Sequence, residues 1–248
     1  MIVYFSGTGN SRAVAQRLAR LLGDSCQDLT TTLSLRSEKR VVWVFPVHSW
    51  GIPPVVAKVL RRMVPGTVHH LVATCGDDAG LTDRRWRHIL ESRGCATGCA
   101  FTVIMPNTYV AMPGFDTDSP ATEQSKLSAM DGRLRVIADA ILAGRSVTDV
   151  CRGAFPAIKS HVIYPWFIRH AISPGRFAVD TTACIGCGKC TAVCPVDNVT
   201  PDPQRRPSWG PDCTGCLACY HVCPRRAISY GSFTRGKGQY LCPLPSCE

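Results

Sequence analysis

Acidic residues are scarce in this chain. Its 248 residues carry 18 Asp and Glu against 28 Lys and Arg, a formal net charge of +10, and such a balance ordinarily raises nucleic acid or an anionic surface as a partner. Charge of either sign is also low, at 19% beside 45% hydrophobic residues, which excludes an intrinsically disordered chain and predicts a real core. Long apolar runs are missing. None approaches about 18 residues, so no membrane span is expected. There is no basic leader with a small-residue cleavage site, because the chain passes directly into the strand-like IVYF at 2–5; the expected location is cytoplasmic. Two nucleotide signatures are absent as well. G-x-G-x-x-G/A fails because Gly7 and Gly9 are followed by Arg12 where helix packing needs a small residue, and no P-loop Lys-Ser pair follows.

Cysteine, by contrast, is abundant. Fifteen cysteines in a chain without a leader point to metal rather than disulfides, and eight of them fall between Cys184 and Cys223. They form two runs of one spacing, CIGCGKCTAVCP at 184–195 and CTGCLACYHVCP at 213–224. Thiolate is a soft ligand, and C-x2-C-x2-C sets three sulfurs on one tight loop that can wrap a cluster corner by corner. Zinc wants two separated pairs and gives no reason for a third cysteine, a fourth and a proline, twice over. The spacing therefore predicts two [4Fe-4S] clusters. Gly186, Gly188 and Gly215 let the backbone curl until its N–H groups approach the cluster sulfides. Cys95, Cys99, Cys242 and Cys247 are read as unligated, and His48, His69, His70 and His88 show no ligand spacing.

Residues 1–147 alternate apolar runs with helical stretches, the pattern of an open parallel sheet covered on both faces. IVYF at 2–5, VVWVF at 41–45, HLVAT at 70–74 and FTVIM at 101–105 are the expected strands, with a weaker fifth within 24–30. Helices are expected after SGTGN (Val14, Leu18 and Leu21 inward), after Pro53 and Pro54, and from Asp118 or Ser119 to Gly144. Residues 148–178 have no sustained period and read as a connecting arm, whose Tyr164, Trp166 and Phe167 are taken to wedge between two domains rather than to form a membrane-surface or partner patch. Residues 179–231 hold the duplicated cysteine runs, and 232–248 look like a loose, Gly-rich tail.

The loop SGTGNS (Ser6, Gly7, Thr8, Gly9, Asn10, Ser11) joins the first strand to the first helix, where backbone N–H groups and the positive helix end favour a phosphate. Ser6, Thr8, Ser11 and Asn10 can add side-chain donors. S-x-T-G-N-S after an amino-terminal strand resembles the FMN-phosphate loop of flavodoxins, a likeness that implies a five-stranded parallel sheet in order 2-1-3-4-5. It also implies flavin contacts from two further loops: Pro46, Val47, His48, Ser49, Trp50 and Gly51, with Trp50 stacking on the ring, and Thr74, Cys75, Gly76, Asp77, Asp78 and Gly80 on the pyrimidine side. Asp77 and Asp78 are read as solvated turn residues. The 105–115 loop is oddly apolar, and it either covers the flavin, with Tyr109 as a second face, or packs against the arm.

The cysteine segment resembles the bacterial two-[4Fe-4S] ferredoxins, small α+β domains in which the fourth cysteine of each run serves the other cluster. That resemblance implies Cys184, Cys187, Cys190 and Cys223 for one cluster and Cys213, Cys216, Cys219 and Cys194 for the second. Arg205, Arg206, Arg225 and Arg226 make the segment basic where such ferredoxins are usually acidic. Together the halves resemble fused flavodoxin-ferredoxin proteins of anaerobic bacteria and archaea. Two clusters and an FMN phosphate would bring the net charge to about +4, which removes most of the case for nucleic acid. The implied function is an electron carrier between redox partner proteins, without a catalytic residue of its own; the alternative is an FMN-dependent reductase of a small acceptor.

Overall fold

The computed structural model describes residues 1–31 and 38–244, so Cys247 lies outside the described residues. β1 (Ile2–Tyr4), β2 (Cys26–Asp28), β3 (Arg40–Pro46), β4 (Val68–Cys75), β5 (Ala96–Ile104) and β6 (Thr148–Asp149) form one sheet in the order β2-β1-β3-β4-β5-β6. Every pairing is parallel. The first five strands follow the flavodoxin-like order 2-1-3-4-5, and the two-residue β6 extends the far edge. Val41 to Phe45 of β3 are buried on both faces, as an inner strand covered by helices on two sides must be. β5 begins five residues before FTVIM, because Ala96, Thr97, Gly98, Cys99 and Ala100 give little strand signal. Gly98 is needed there: a Cβ would lie 2.6 Å from His70 Cε1, while the Cys99 N–H donates to His70 Nδ1 at 3.0 Å.

α1 (Asn10–Leu22) and α4 (Pro120–Leu142) cover one face of the sheet, α2 (Pro54–Leu60) and α3 (Thr82–Glu91) the other. In α1, Val14 and Leu18 point inward but Leu21 faces solvent and Leu22 takes the inner place. α4 starts where the sequence marks it, the Thr122 N–H donating to Ser119 Oγ at 3.3 Å with Pro120 in the first turn.

The arm is more regular than its sequence suggests. Residues 156–171 form one continuous helix, widened to π turns at Lys159–Ile163 and Phe167–Ala171 on either side of Pro165, whose missing N–H cannot close an ordinary turn. Ser160, Tyr164 and Phe167 are buried against loops of the sheet domain and Ala171 beside Tyr230, whereas Trp166 is half exposed.

The second unit pairs β7 (Phe177–Val179) with β10 (Ile228–Tyr230) and β8 (Val199–Pro201) with β9 (Pro207–Trp209), both antiparallel. One short helix belongs to each cysteine run, Lys189–Ala192 and Ala218–Val222. Leu217, Tyr220, Ile228 and Tyr230 build a core shared with Val110 and Ala111 of the loop after β5.

The stretch expected as a loose tail is packed through residue 244, with Thr234 and Tyr240 buried. Lys237 Nζ donates to the carbonyls of Val110 at 3.0 Å, Met112 at 2.7 Å and Phe115. Gln239 Nε2 donates to the Tyr220 and Cys223 carbonyls at 2.6 and 3.0 Å. The polar partners of this stretch include backbone carbonyls and the side chains of Asn10, Asp116 and His221, which are remote in sequence, and no local pattern reveals them.

Candidate functional site

The loop between β1 and α1 turns on Gly9, whose φ of +98° is left-handed backbone that glycine adopts without strain. The Gly9 N–H donates to Ser6 Oγ at 3.2 Å. Ser11 Oγ bonds Thr74 Oγ1 at 2.8 Å, tying the loop to the end of β4. Asn10 is committed elsewhere than expected. Its Nδ2 donates to the Pro106 carbonyl at 2.9 Å and its Oδ1 accepts the Tyr240 hydroxyl at 2.9 Å, so this amide braces the loop against two other segments. Three of the four expected phosphate donors thus have protein partners, so Thr8 and the remaining backbone N–H groups are the donors that an anion at this loop would meet.

Around this loop lies a cavity of about 1110 Å³, counted out to its open mouth. Its walls include Ser6, Gly7, Thr8, Asn10 and Ser11, then Pro46, Val47, His48, Ser49 and Trp50, then Thr74, Cys75, Gly76, Asp77 and Asp78. Gly9, Gly51 and Gly80 shape these loops from behind. Met105, Pro106, Asn107, Thr108, Met112 and Phe115 of the 105–115 loop continue the wall beside Tyr109, and Phe167 from the arm with Gly215, Cys216 and Leu217 from the second cysteine run, which no local pattern marks, complete it. Tyr109 lines the cavity and meets the Phe167 ring of the arm edge-on at 5.6 Å.

The 46–54 loop is held in an uncommon shape. Ser49 and Trp50 have φ of +46° and +63°, while the His48 and Gly51 backbones exchange two hydrogen bonds of 3.0 Å. A tryptophan in left-handed backbone costs on the order of 1 kcal/mol or more and persists only where its surroundings dictate it. The arm helix supplies those surroundings. Ser160 Oγ donates to the Trp50 carbonyl at 2.9 Å, Tyr164 Oη donates to the Ile52 carbonyl at 2.6 Å, and Lys159 Nζ lies 5.0 Å from the Trp50 ring centre. Gly51 has no room for a side chain, since a Cβ would overlap the Tyr164 ring. Lys159 also bonds Asp78 at 2.6 Å, so Asp78 is a paired, mostly buried acid, while Asp77 remains solvated. Burial holds the His48 imidazole down to about 4, hence neutral near pH 7, and its Nδ1 has no partner among the described residues. Burial likewise pushes the Cys75 thiol up, which keeps it protonated.

The cysteines separate into two groups. Cys184, Cys187, Cys190 and Cys223 surround one small cavity, with Cys223 brought from the second run. Cys194 crosses in the opposite sense and is the neighbouring thiol felt by Cys213 and Cys216. Backbone donors meet the crossing sulfurs in matching positions: the Asn198 N–H reaches Cys194 Sγ and the Ala227 N–H reaches Cys223 Sγ, both at 3.3 Å and both four residues on. Gly215 N–H and Trp209 Nε1 reach Cys213 and Cys219 Sγ at 3.4 Å. Such donors favour a more negative sulfur and fit thiolate ligands of an iron-sulfur cluster. Burial pushes the Cys216 thiol up to about 11, so metal must displace its proton.

Residues 183–228 match the family model of the 4Fe-4S dicluster domain. The chain thus joins a sheet of strand order 2-1-3-4-5 to a segment similar to that dicluster domain. No curated protein matches it. Among solved structures it is similar to the Streptococcus pneumonia TIGR4 flavodoxin, at 17% identity and a TM-score of 0.41 over 57% of this chain and 96% of that one. Two-electron reduced Megasphaera elsdenii flavodoxin gives 21% and 0.36 over 52% of this chain and 96% of that one, and the Trp repressor binding protein from Bacillus subtilis 13% and 0.36 over 54% and 95%. The fold of the amino-terminal domain rests on its strand order.

In this fusion the two halves touch at the cavity. A Cβ on Gly7 would stand 2.9 Å from Cys216 Cβ, and one on Gly9 would stand 2.9 Å from Cys242 Cβ. The Cys242 N–H donates to the Thr8 carbonyl at 2.8 Å. The anion loop is therefore enclosed by the cysteine domain on one side and by the carboxy-terminal segment on the other.

Proposed function

We propose that this protein is an electron carrier that relays electrons between redox partner proteins through FMN and two [4Fe-4S] clusters. The supporting observation is the double position of Cys216, a member of the second cysteine set and a wall of the cavity beside Gly7. Bound there, FMN supplies storage for one or two electrons, while each cluster passes one at a time.

The chain's own residues do the rest. Backbone N–H groups of 6–11 at the positive end of α1, with Thr8, hold the phosphate. Trp50 and Tyr109 offer ring faces, and Met112, Phe115 and Phe167 exclude water from the cavity. His48 stays neutral at the wall and offers an uncommitted ring nitrogen. Cys213, Cys216, Cys219 and Cys194 hold the inner cluster, next to the flavin. Cys184, Cys187, Cys190 and Cys223 hold the outer one, where Cys187 and Ile185 are exposed. Lys189, Arg205 and Arg225 rim that outer space and, among the described residues, no Asp or Glu lines it. An acidic redox protein fits such a rim. A cytoplasmic setting suits this reading, since it keeps thiols reduced and available to metal.

An anaerobic redox titration with flavin and iron counted tests the reading. One FMN and about eight irons per chain, all titrating, are expected. Zinc in place of iron would exclude the carrier, and fast turnover of a small acceptor without any protein partner would move the assignment to the reductase.

A further inference from the structure

The arm helix has two faces, and only one is explained by the cavity. Ser160, Tyr164, Phe167 and Ala171 pack inward. On the outward side Phe155, Ile158, Val162 and Trp166 are 74%, 54%, 63% and 50% exposed. They follow one another at the spacing of a single helix face, a continuous apolar stripe where a surface helix ordinarily carries polar groups.

Phe155 is the most exposed of the four and has φ of +50°. A bulky aromatic in left-handed backbone is an outlier, and no packing of its ring accounts for it. The strain holds this ring out at the start of the helix, with Pro156 fixing the first turn behind it.

Net charge around the stripe is positive. Residues 150–179 contain no Asp or Glu, but they contain Arg152, Lys159, Arg169 and Arg176. Arg169, His161 and His170 are exposed on the helix itself. Arg85 lies over the Tyr164 ring at 4.7 Å and Arg61 acts on the same phenol from α2. The two acids beside the helix are already neutralised, Asp78 by Lys159 and Asp83 by Arg152, each at 2.6 Å.

We propose that this face docks on an anionic phospholipid surface, with Phe155, Ile158, Val162 and Trp166 entering the headgroup boundary and Arg169 and Arg61 meeting lipid phosphates. Aromatic side chains at both ends of an apolar stripe with basic flanks are what an in-plane membrane helix presents. The helix lies on the surface, since no described helix is long and apolar enough to cross a membrane. The proposal stands apart from the cofactor assignment. Its consequence is that the Trp50 side of the cavity sits about one helix diameter, roughly 10 Å, from the lipid.

The test is flotation of the full cofactor-loaded chain with vesicles of phosphatidylcholine alone or mixed with phosphatidylglycerol. Binding to the mixed vesicles, weakened by salt, is expected, and combined F155S, I158S, V162S and W166S should weaken it about tenfold or more while iron, flavin and elution volume stay unchanged. Should the combined variant fold poorly, F155S and W166S alone must each weaken binding, and R169E must weaken it on the anionic vesicles. Failure of the wild type to float, or undiminished binding by folded variants, overturns the proposal. So does a wild-type dimer that the four substitutions make monomeric without any flotation, which would make this face a contact between copies.

Discussion

Gly7 and Cys216 are in direct contact: a methyl group on Gly7 would stand 2.9 Å from the Cys216 Cβ and 3.1 Å from its carbonyl oxygen. Neither neighbour is the free end of a flexible side chain, so the two domains must separate to admit it. Gly7→Ala is expected to weaken flavin binding about tenfold and to lower iron content, a combination that follows from overpacking of roughly 1–3 kcal/mol at a shared boundary. Flavin retention on dilution and iron analysis of the same sample check it; loss of flavin with iron intact would place the strain in the loop alone.

Gly132 is the opposite case. It sits exposed within α4, and a Cβ there meets nothing within 4 Å. Gly132→Ala should raise stability by about 0.5–1 kcal/mol with flavin and iron unchanged, read as a higher unfolding midpoint.

Crossing of the cysteine runs makes Cys223 and Cys194 the informative pair. Cys223→Ser is expected to remove the outer cluster and about half of the iron while FMN stays bound, and Cys194→Ser to remove the inner cluster instead. Paramagnetic resonance of the reduced variants distinguishes the two losses. Identical residual spectra from both variants would break the assignment.

Lys237 gathers three carbonyls of the 105–115 loop from the far end of the chain. Lys237→Met keeps the stem and removes the donors, leaving those carbonyls to solvent. A loss of about 2 kcal/mol in stability is expected, with flavin affinity falling and both clusters retained; calorimetry and flavin titration read the two effects separately.

The strand and motif pattern could be read in the sequence wherever chemistry was local. β-branched runs mark β1, β3 and β4, Ser119-Pro120 marks the start of α4, and the cysteine spacing marks the second unit. What escaped was decided by distant partners. Ala96 to Ala100 become strand because His70 packs on Gly98, Asn10 turns from the anion site because Tyr240 and Pro106 claim it, and the arm becomes a helix because Trp50 and Ile52 offer carbonyls to Ser160 and Tyr164. The third wall of the cavity, including Phe167 and Cys216, exists only when the two halves meet.

Acid should loosen the sheet domain through His69 and His70. Both are buried, and burial holds each imidazole down to about 4, against about 6.5 when unfolded. Their neutral forms are bound in place, the Trp43 Nε1–H donating to His69 Nδ1 and the Cys99 N–H to His70 Nδ1, both at 3.0 Å. The unfolded chain takes up protons first, so the stability they lend is present above pH 6.5 and is lost as pH falls toward 4, by a few kcal/mol in all. His70→Asn, which keeps an acceptor for the Cys99 N–H, should flatten the fall in unfolding midpoint across that window.

The hydrogen bond from Tyr240 to Asn10 spans 230 positions of the chain. During synthesis the strands and helices of the first half can assemble early, yet the loop between β1 and α1 keeps an unfinished side until Tyr240 emerges. Any ligand of that loop meets its finished walls only after Tyr240 is in place. A product that stops before Tyr240 would keep its sheet and the eight cysteines of the two runs but lose Cys242 and the brace on Asn10, so its first expected defect is at the loop between β1 and α1, read as flavin loss on dilution.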